Sequence, residues 1–158
     1  MKREKTVGDV MTRDVFAVAP DTSLQAAAEL LTREHITGAP VVDHRGVVVG
    51  VVTLTDLLDP SHRTSDREGH NAFYMITDGW ASNVDDEMEF ASGRVEEVMS
   101  EGAITTSTAL GITAASRILL RNRIHRVVVV DGDGHLVGIA SSMDLLRGFV
   151  AQQDEAAD

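Results

Sequence analysis

The chain has 158 residues, 43% hydrophobic and 25% charged, with 14 Lys and Arg against 25 Asp and Glu and a formal net charge of −11. It has no cysteine, which excludes disulfides, thiolate metal sites and cysteine nucleophiles. So acidic a chain, with only 4% aromatic residues, is poorly suited to neutralising nucleic-acid phosphates.

The opening MKREKTVGDVM is charged but lacks the apolar centre of a secretory signal. No apolar run approaches the roughly 18 residues that cross a bilayer, and a cytoplasmic location is expected. A short strand is predicted over 15–18. A turn, Pro20-Asp21-Thr22-Ser23, follows, with Thr22 and Gln25 at capping-box spacing. Leu24, Ala27, Ala28 and Leu31 then recur at helical spacing. A strand over 39–42, a DHRG turn and a strand over 47–52 read as a hairpin, and a helix begins near Thr53.

Residues 59–94 form a long connector. Tyr74 and Trp80, beside Phe73, Met75 and Ile76, are expected to pin it onto the rest of the chain. The same order then recurs. It comprises a strand over 103–106, a weaker cap at Leu110-Gly111, and a helix carrying Ile112, Ala115, Ser116 and Leu119. A strand over 127–130, a DGDG turn, a strand over 136–140 and a helix from Ser141 complete it. The tail AQQDEAAD is expected to fray.

Residues 7–58 align without a gap on 95–146, an offset of 88 residues, with 17 identities in 52 positions. Such a register marks an internal repeat. The predicted class is α/β (α+β), with two β-α-β-β-α repeats packed sheet to sheet in pseudo-twofold symmetry. The predicted boundaries are 1–58, a connector over 59–94, 95–150, and a tail over 151–158. Each half alone is marginal in size for independent stability.

Three matched pieces, VGDVMT with VEEVMS, ITGAPVVD with IHRVVVVD, and GVVTLTDLL with GIASSMDLL, make the chain resemble a tandem pair of cystathionine-β-synthase (CBS) domains, a Bateman module. The resemblance implies a non-catalytic regulatory module and a homodimer. It also implies clefts between the repeats for AMP, ADP, ATP or S-adenosylmethionine as regulatory ligand, with no cofactor required. Carried over, the Ser/Thr-x-x-Asp element nominates Thr53, Thr55 and Asp56 in one cleft and Ser141, Ser142 and Asp144 in the other. The carboxylate would take the ribose diol and the hydroxyls ribose or phosphate, a use for which charge-assisted bonds are well suited. The base would lie against Ala17, Gly38 and Ala39 in the first repeat and Thr105, Arg126 and Val127 in the second. Pro40 keeps the family's proline, whereas the second repeat has Val128 at that position.

Thr-x-x-Asp is also an ordinary helix start, with a hydroxyl cap and an acid in the first turn. Its duplication within the repeat favours ligand contact, and one hydroxyl can serve both purposes. Arg117, Arg121, Arg123, His125 and Arg126 cluster in the second repeat. Arg117 and Arg121 read as a solvated helix face, whereas His125 and Arg126 lie beside the predicted base-binding strand and suit an anionic ligand. His62 and His70 lack helical metal spacing, DGDG reads as a hairpin turn rather than a calcium loop, and no metal site is expected. No GxSxG, P-loop or dinucleotide motif occurs. The competing reading is an interaction or oligomerisation module without a nucleotide ligand, and either reading leaves room for an effector protein as partner.

Overall fold

The computed structural model describes residues 3–58 and 92–157. The expected two-repeat α+β architecture is present, with helices and two three-stranded sheets. The connector aromatics and the His62 and His70 pair lie outside the described residues.

In the first repeat a one-turn helix, α1 (Val7–Val10), precedes α2 (Leu24–Arg33), β1 (Gly38–Val42), β2 (Val48–Thr53) and α3 (Leu54–Leu58). In the second, α4 (Val95–Val98) precedes β3 (Ser100–Glu101), β4 (Thr105–Thr106), α5 (Ile112–Asn122), β5 (Arg126–Val130), β6 (Leu136–Ser141) and α6 (Ser142–Ala157). The apolar face read from sequence is the buried one. Leu24, Ala27, Ala28 and Leu31 are inaccessible on α2, as are Ile112, Ala115 and Leu119 on α5. The hairpins form as expected, β1 with β2 and β5 with β6, both antiparallel. Their turns are held by aspartate. Asp43 Oδ1 accepts from the Arg45 and Val47 amides, and Asp131 Oδ1 from the Asp133 and His135 amides.

Three local expectations are corrected. The cap of α2 is Ser23, whose Oγ accepts from Ala26 N at 3.1 Å, and not Thr22 with Gln25. Thr22 instead offers its carbonyl to Val95 N at 2.9 Å, and Gln25 bonds to Glu29. The strand expected over 15–18 shrinks to one parallel bridge, Val18 with Val41, because only Val18 bonds β1, through Pro40 O and Val42 N. The tail expected to fray is helical as far as Ala157, and Lys5 ties it down through Gln152 Oε1 (3.0 Å) and Glu155 Oε1 (2.9 Å).

The chain divides into two compact units that do not coincide with the repeats. One comprises Phe16–Ala103, the other Met1–Val15 with Ile104–Asp158. Each therefore takes its first helical turn from the other repeat. In the Phe16–Ala103 unit, Val95 and Val98 join Val18, Leu24, Leu31 and Val52 in one core cluster, and Gly50 and Val51 pair with Glu101 and Ser100. In the other unit Val7 is fully buried, Val7 N bonds Leu110 O, and Thr12 exchanges two bonds with Ile139. The exchanged arm also repairs the weak cap, because Glu4 Oε1 accepts from Thr113 N at 2.9 Å in the first turn of α5. A fully buried valine is worth about 1.5–3 kcal/mol, so each exchanged turn contributes substantially to the unit that receives it.

Candidate functional site

Each sheet delivers its hairpin to a strand-to-helix junction. In the first, Gly38 opens β1 directly opposite Thr53, where β2 ends. Leu54 N then bonds Thr37 O at 2.9 Å as α3 begins. Thr53 is fully buried. Its amide donates to Asp56 Oδ2 at 2.9 Å and its hydroxyl to the same oxygen at 3.0 Å. Thr55 and Asp56 lie half-buried in the first turn. Ala17 precedes the Val18 bridge that borders β1. The first group of nominated residues is therefore gathered at one end of one sheet.

The second junction repeats the plan. Arg126 faces Ser141 across the β5–β6 register, and Thr105 faces Val128 across the parallel β4–β5 pair. Ser142 N bonds His125 O at 2.8 Å. Ser141 N donates to Asp144 Oδ2 at 2.8 Å, and Asp144 N to Ser141 Oγ at 3.1 Å. Asp144 is buried, Arg126 half-buried, and His125, Thr105 and Ser142 exposed. Ala39 and Val127 are fully buried in their sheets, and Pro40 is buried as well.

The hydrogen bonding of Thr-x-x-Asp does not by itself identify a binding site, and the chain contains its own control. Thr6 and Asp9, at the start of α1, reproduce it, with Thr6 N at 2.8 Å and Thr6 Oγ1 at 3.0 Å from Asp9 Oδ2. That pair starts a single turn, bridged to Gly111 and part of neither hairpin. The two junctions differ from it in standing where two strands and a helix meet, with strand residues from the opposite side of the hairpin close by.

Sequence reasoning passed over Arg147. Its Nη1 donates to Asp144 Oδ1 at 3.2 Å, a contact that the three-residue spacing on a helix permits. Arg117 and Arg121 lie exposed on α5 as expected. At the DGDG turn the ligating atoms of Asp131, Asp133 and His135 lie within 4.8 Å of one another. The turn's own bonds, including His135 Nδ1 with Asp131 Oδ2 at 3.1 Å, account for that arrangement.

A model of the CBS domain matches residues 7–62 and 95–151. The CBS domain-containing protein CBSX1 of Arabidopsis thaliana, a chloroplastic protein, is 33% identical over 148 residues, 90% of this chain and 63% of its own length. The chain spans about three fifths of that relative. The structure of CBSX2 in complex with AMP superposes with a TM-score of 0.68 at 29% identity, over 94% of this chain and 98% of that one. The CBS domain pair of protein MJ0100, solved with 5′-methylthioadenosine and S-adenosyl-L-methionine, gives a TM-score of 0.66 at 21% identity over 95% and 99%, a likeness of fold alone.

Proposed function

The chain belongs to the CBS domain family as a tandem pair, and we propose that it is a non-catalytic regulatory module binding adenosyl ligands at its two strand-to-helix junctions. The observation that carries this reading is the junction itself, built twice on a chain similar over nearly its whole length to CBSX2, which was solved with AMP. Asp56 and Asp144 would accept from the ribose hydroxyls while their Oδ2 atoms cap the helix. AMP, ADP, ATP and S-adenosylmethionine are the ligands to test.

A ligand that binds only the native state stabilises it by about 2.7 kcal/mol at a hundredfold excess over its Kd. Thermal melts with each ligand should therefore rise, and Asp56→Asn with Asp144→Asn together should abolish the rise. Asparagine keeps an acceptor for the cap but loses the charge. No shift with any of the four at millimolar concentration sinks the reading.

Self-association is supported by a separate observation. Leu120 on α5 and Met143, Leu146 and Val150 on α6 are 50–77% exposed, and the last three follow helical spacing along one stripe. A homodimer through this face should lose association, read by sedimentation, on Leu146→Glu. If the unsubstituted chain binds none of the four ligands and the double asparagine variant still dimerises, the oligomerisation reading replaces the sensor.

A further inference from the structure

Both carboxylate oxygens of Asp144 are engaged. Oδ2 takes the Ser141 amide at 2.8 Å and Oδ1 takes Arg147 Nη1 at 3.2 Å. The Asp144 side chain is 12% exposed and that of Arg147 74%. An ion pair so open contributes little to stability, but it fixes the electrostatic character of the junction. The carboxylate charge is balanced on the spot, and Arg126 stands opposite Ser141 in the same hairpin. The aligned positions in the first repeat are Gly38 for Arg126 and Asp59 for Arg147. Asp59 lies outside the described residues, and at the level of sequence the basic residue has become acidic.

An unbalanced carboxylate repels a second anion placed within a Debye length of about 8–10 Å, whereas a neutral nucleoside is indifferent to that charge. A guanidinium paired at one edge still has donors for phosphate oxygens. We propose that Arg147 is the specificity-determining residue of the Ser141–Asp144 junction. By cancelling the charge of Asp144 and offering its remaining donors to phosphate oxygens, it makes this junction select a phosphorylated adenosyl ligand over an uncharged one. The inference rests on the adenosyl-binding reading and adds the charge class of the ligand and the residue that sets it.

The test is calorimetric titration of the full chain carrying Asp56→Asn, so that only this junction keeps its acidic group, with AMP and adenosine as probes at low and high salt. Arg147 is exposed, so Arg147→Gln leaves the packing intact. The preference for AMP over adenosine should fall about three- to tenfold in Arg147→Gln, as expected for loss of one partly screened charge. Adenosine affinity should stay within about twofold, as expected for a ligand without charge. Arg147→Lys should keep most of the preference, and high salt should erode it in the parent. Equal changes for both probes, or an unchanged preference in Arg147→Gln, overturn the assignment while leaving adenosyl binding standing. Failure of the unsubstituted chain to bind either probe at millimolar concentration overturns both, and binding lost with Asp56→Asn alone overturns only the assignment. The same comparison by thermal shift in the unsubstituted chain covers the case in which Asp56→Asn perturbs folding.

Discussion

Two of the described residues sit in a backbone region that side chains disfavour, at matching places. His35 (φ 53) and Arg123 (φ 54) are the non-glycine residues with positive φ among the described residues, and they align in the repeat. Each ends its helix so that the next amide turns back, Ile36 N onto Leu31 O at 2.9 Å and Ile124 N onto Leu119 O at 3.0 Å. Glycine is the usual occupant of such a position because it lacks the Cβ clash. Arg123→Gly should therefore raise stability by about 0.5–1 kcal/mol, about 2–4 °C in Tm at this chain length, read by thermal melts. Charge at the turns acts in a different way. The His135 amide, outweighing the opposing effect of burial, helps hold the Asp131 carboxyl below its usual range, with further help from the Asp133 amide. A carboxyl depressed in the folded state adds stability above its unfolded value, about pH 3.9, and loses it as pH falls through the folded value. Asp131→Asn keeps an acceptor for the turn but no titration. Its loss of Tm between pH 6 and pH 3 should be smaller than that of the parent. An equal loss would mean that the turn bonds do not favour the charged form.

At the scale of elements, the glycines in the middle of β2 and β6 show what the strands must admit. A Cβ on Gly50 would stand 2.6 Å from Ser100 O and 3.0 Å from Met99 Sδ. One on Gly138 would stand 2.7 Å from both Thr12 O and Met11 Sδ. Neither glycine has a positive φ, so the requirement is for space. The backbone of the exchanged segment crosses each strand at that point. Gly138→Ala should cost about 1–3 kcal/mol, the range for overpacking a close contact. Amide exchange should speed up at Thr12 and Ile139, which bond each other there, before it does so in the β5 pairing. The hairpins, the apolar faces of α2 and α5 and both strand-to-helix junctions were legible in the sequence, because each depends on residues close along the chain. Thr6-x-x-Asp9, the signal for α1, was equally visible but was not used. The cap that Glu4 supplies to Thr113 was not legible, since no local pattern links groups 109 residues apart. Arg147 was missed for a different reason. Its spacing from Asp144 was plain, but only the geometry shows which carboxylate oxygen it occupies.

For the whole molecule, the exchange of first turns is the feature that the sequence conceals, and the cause is the repeat. VGDVM and VEEVM are so alike that either would satisfy the hydrophobic requirement of either unit. Pattern alone cannot decide which sheet receives which. The choice has a consequence for how the chain can be divided. Cutting between the repeats leaves residues 1–58 without Val95 and Val98, which complete the core of their unit, and with Val7 and Met11 deprived of the unit that buries them. Cutting by compact unit keeps Phe16–Ala103 with its core and its β2–β3 pairing intact. A fragment spanning 16–103 should accordingly unfold cooperatively in heat or urea. The 1–58 fragment should lack a transition, because losing two buried valines and an edge pairing removes several kcal/mol from a body of marginal size. Calorimetry and circular dichroism on the two fragments decide the matter. A cooperative transition for 1–58, or none for 16–103, would show that the repeat and not the exchanged unit is what folds.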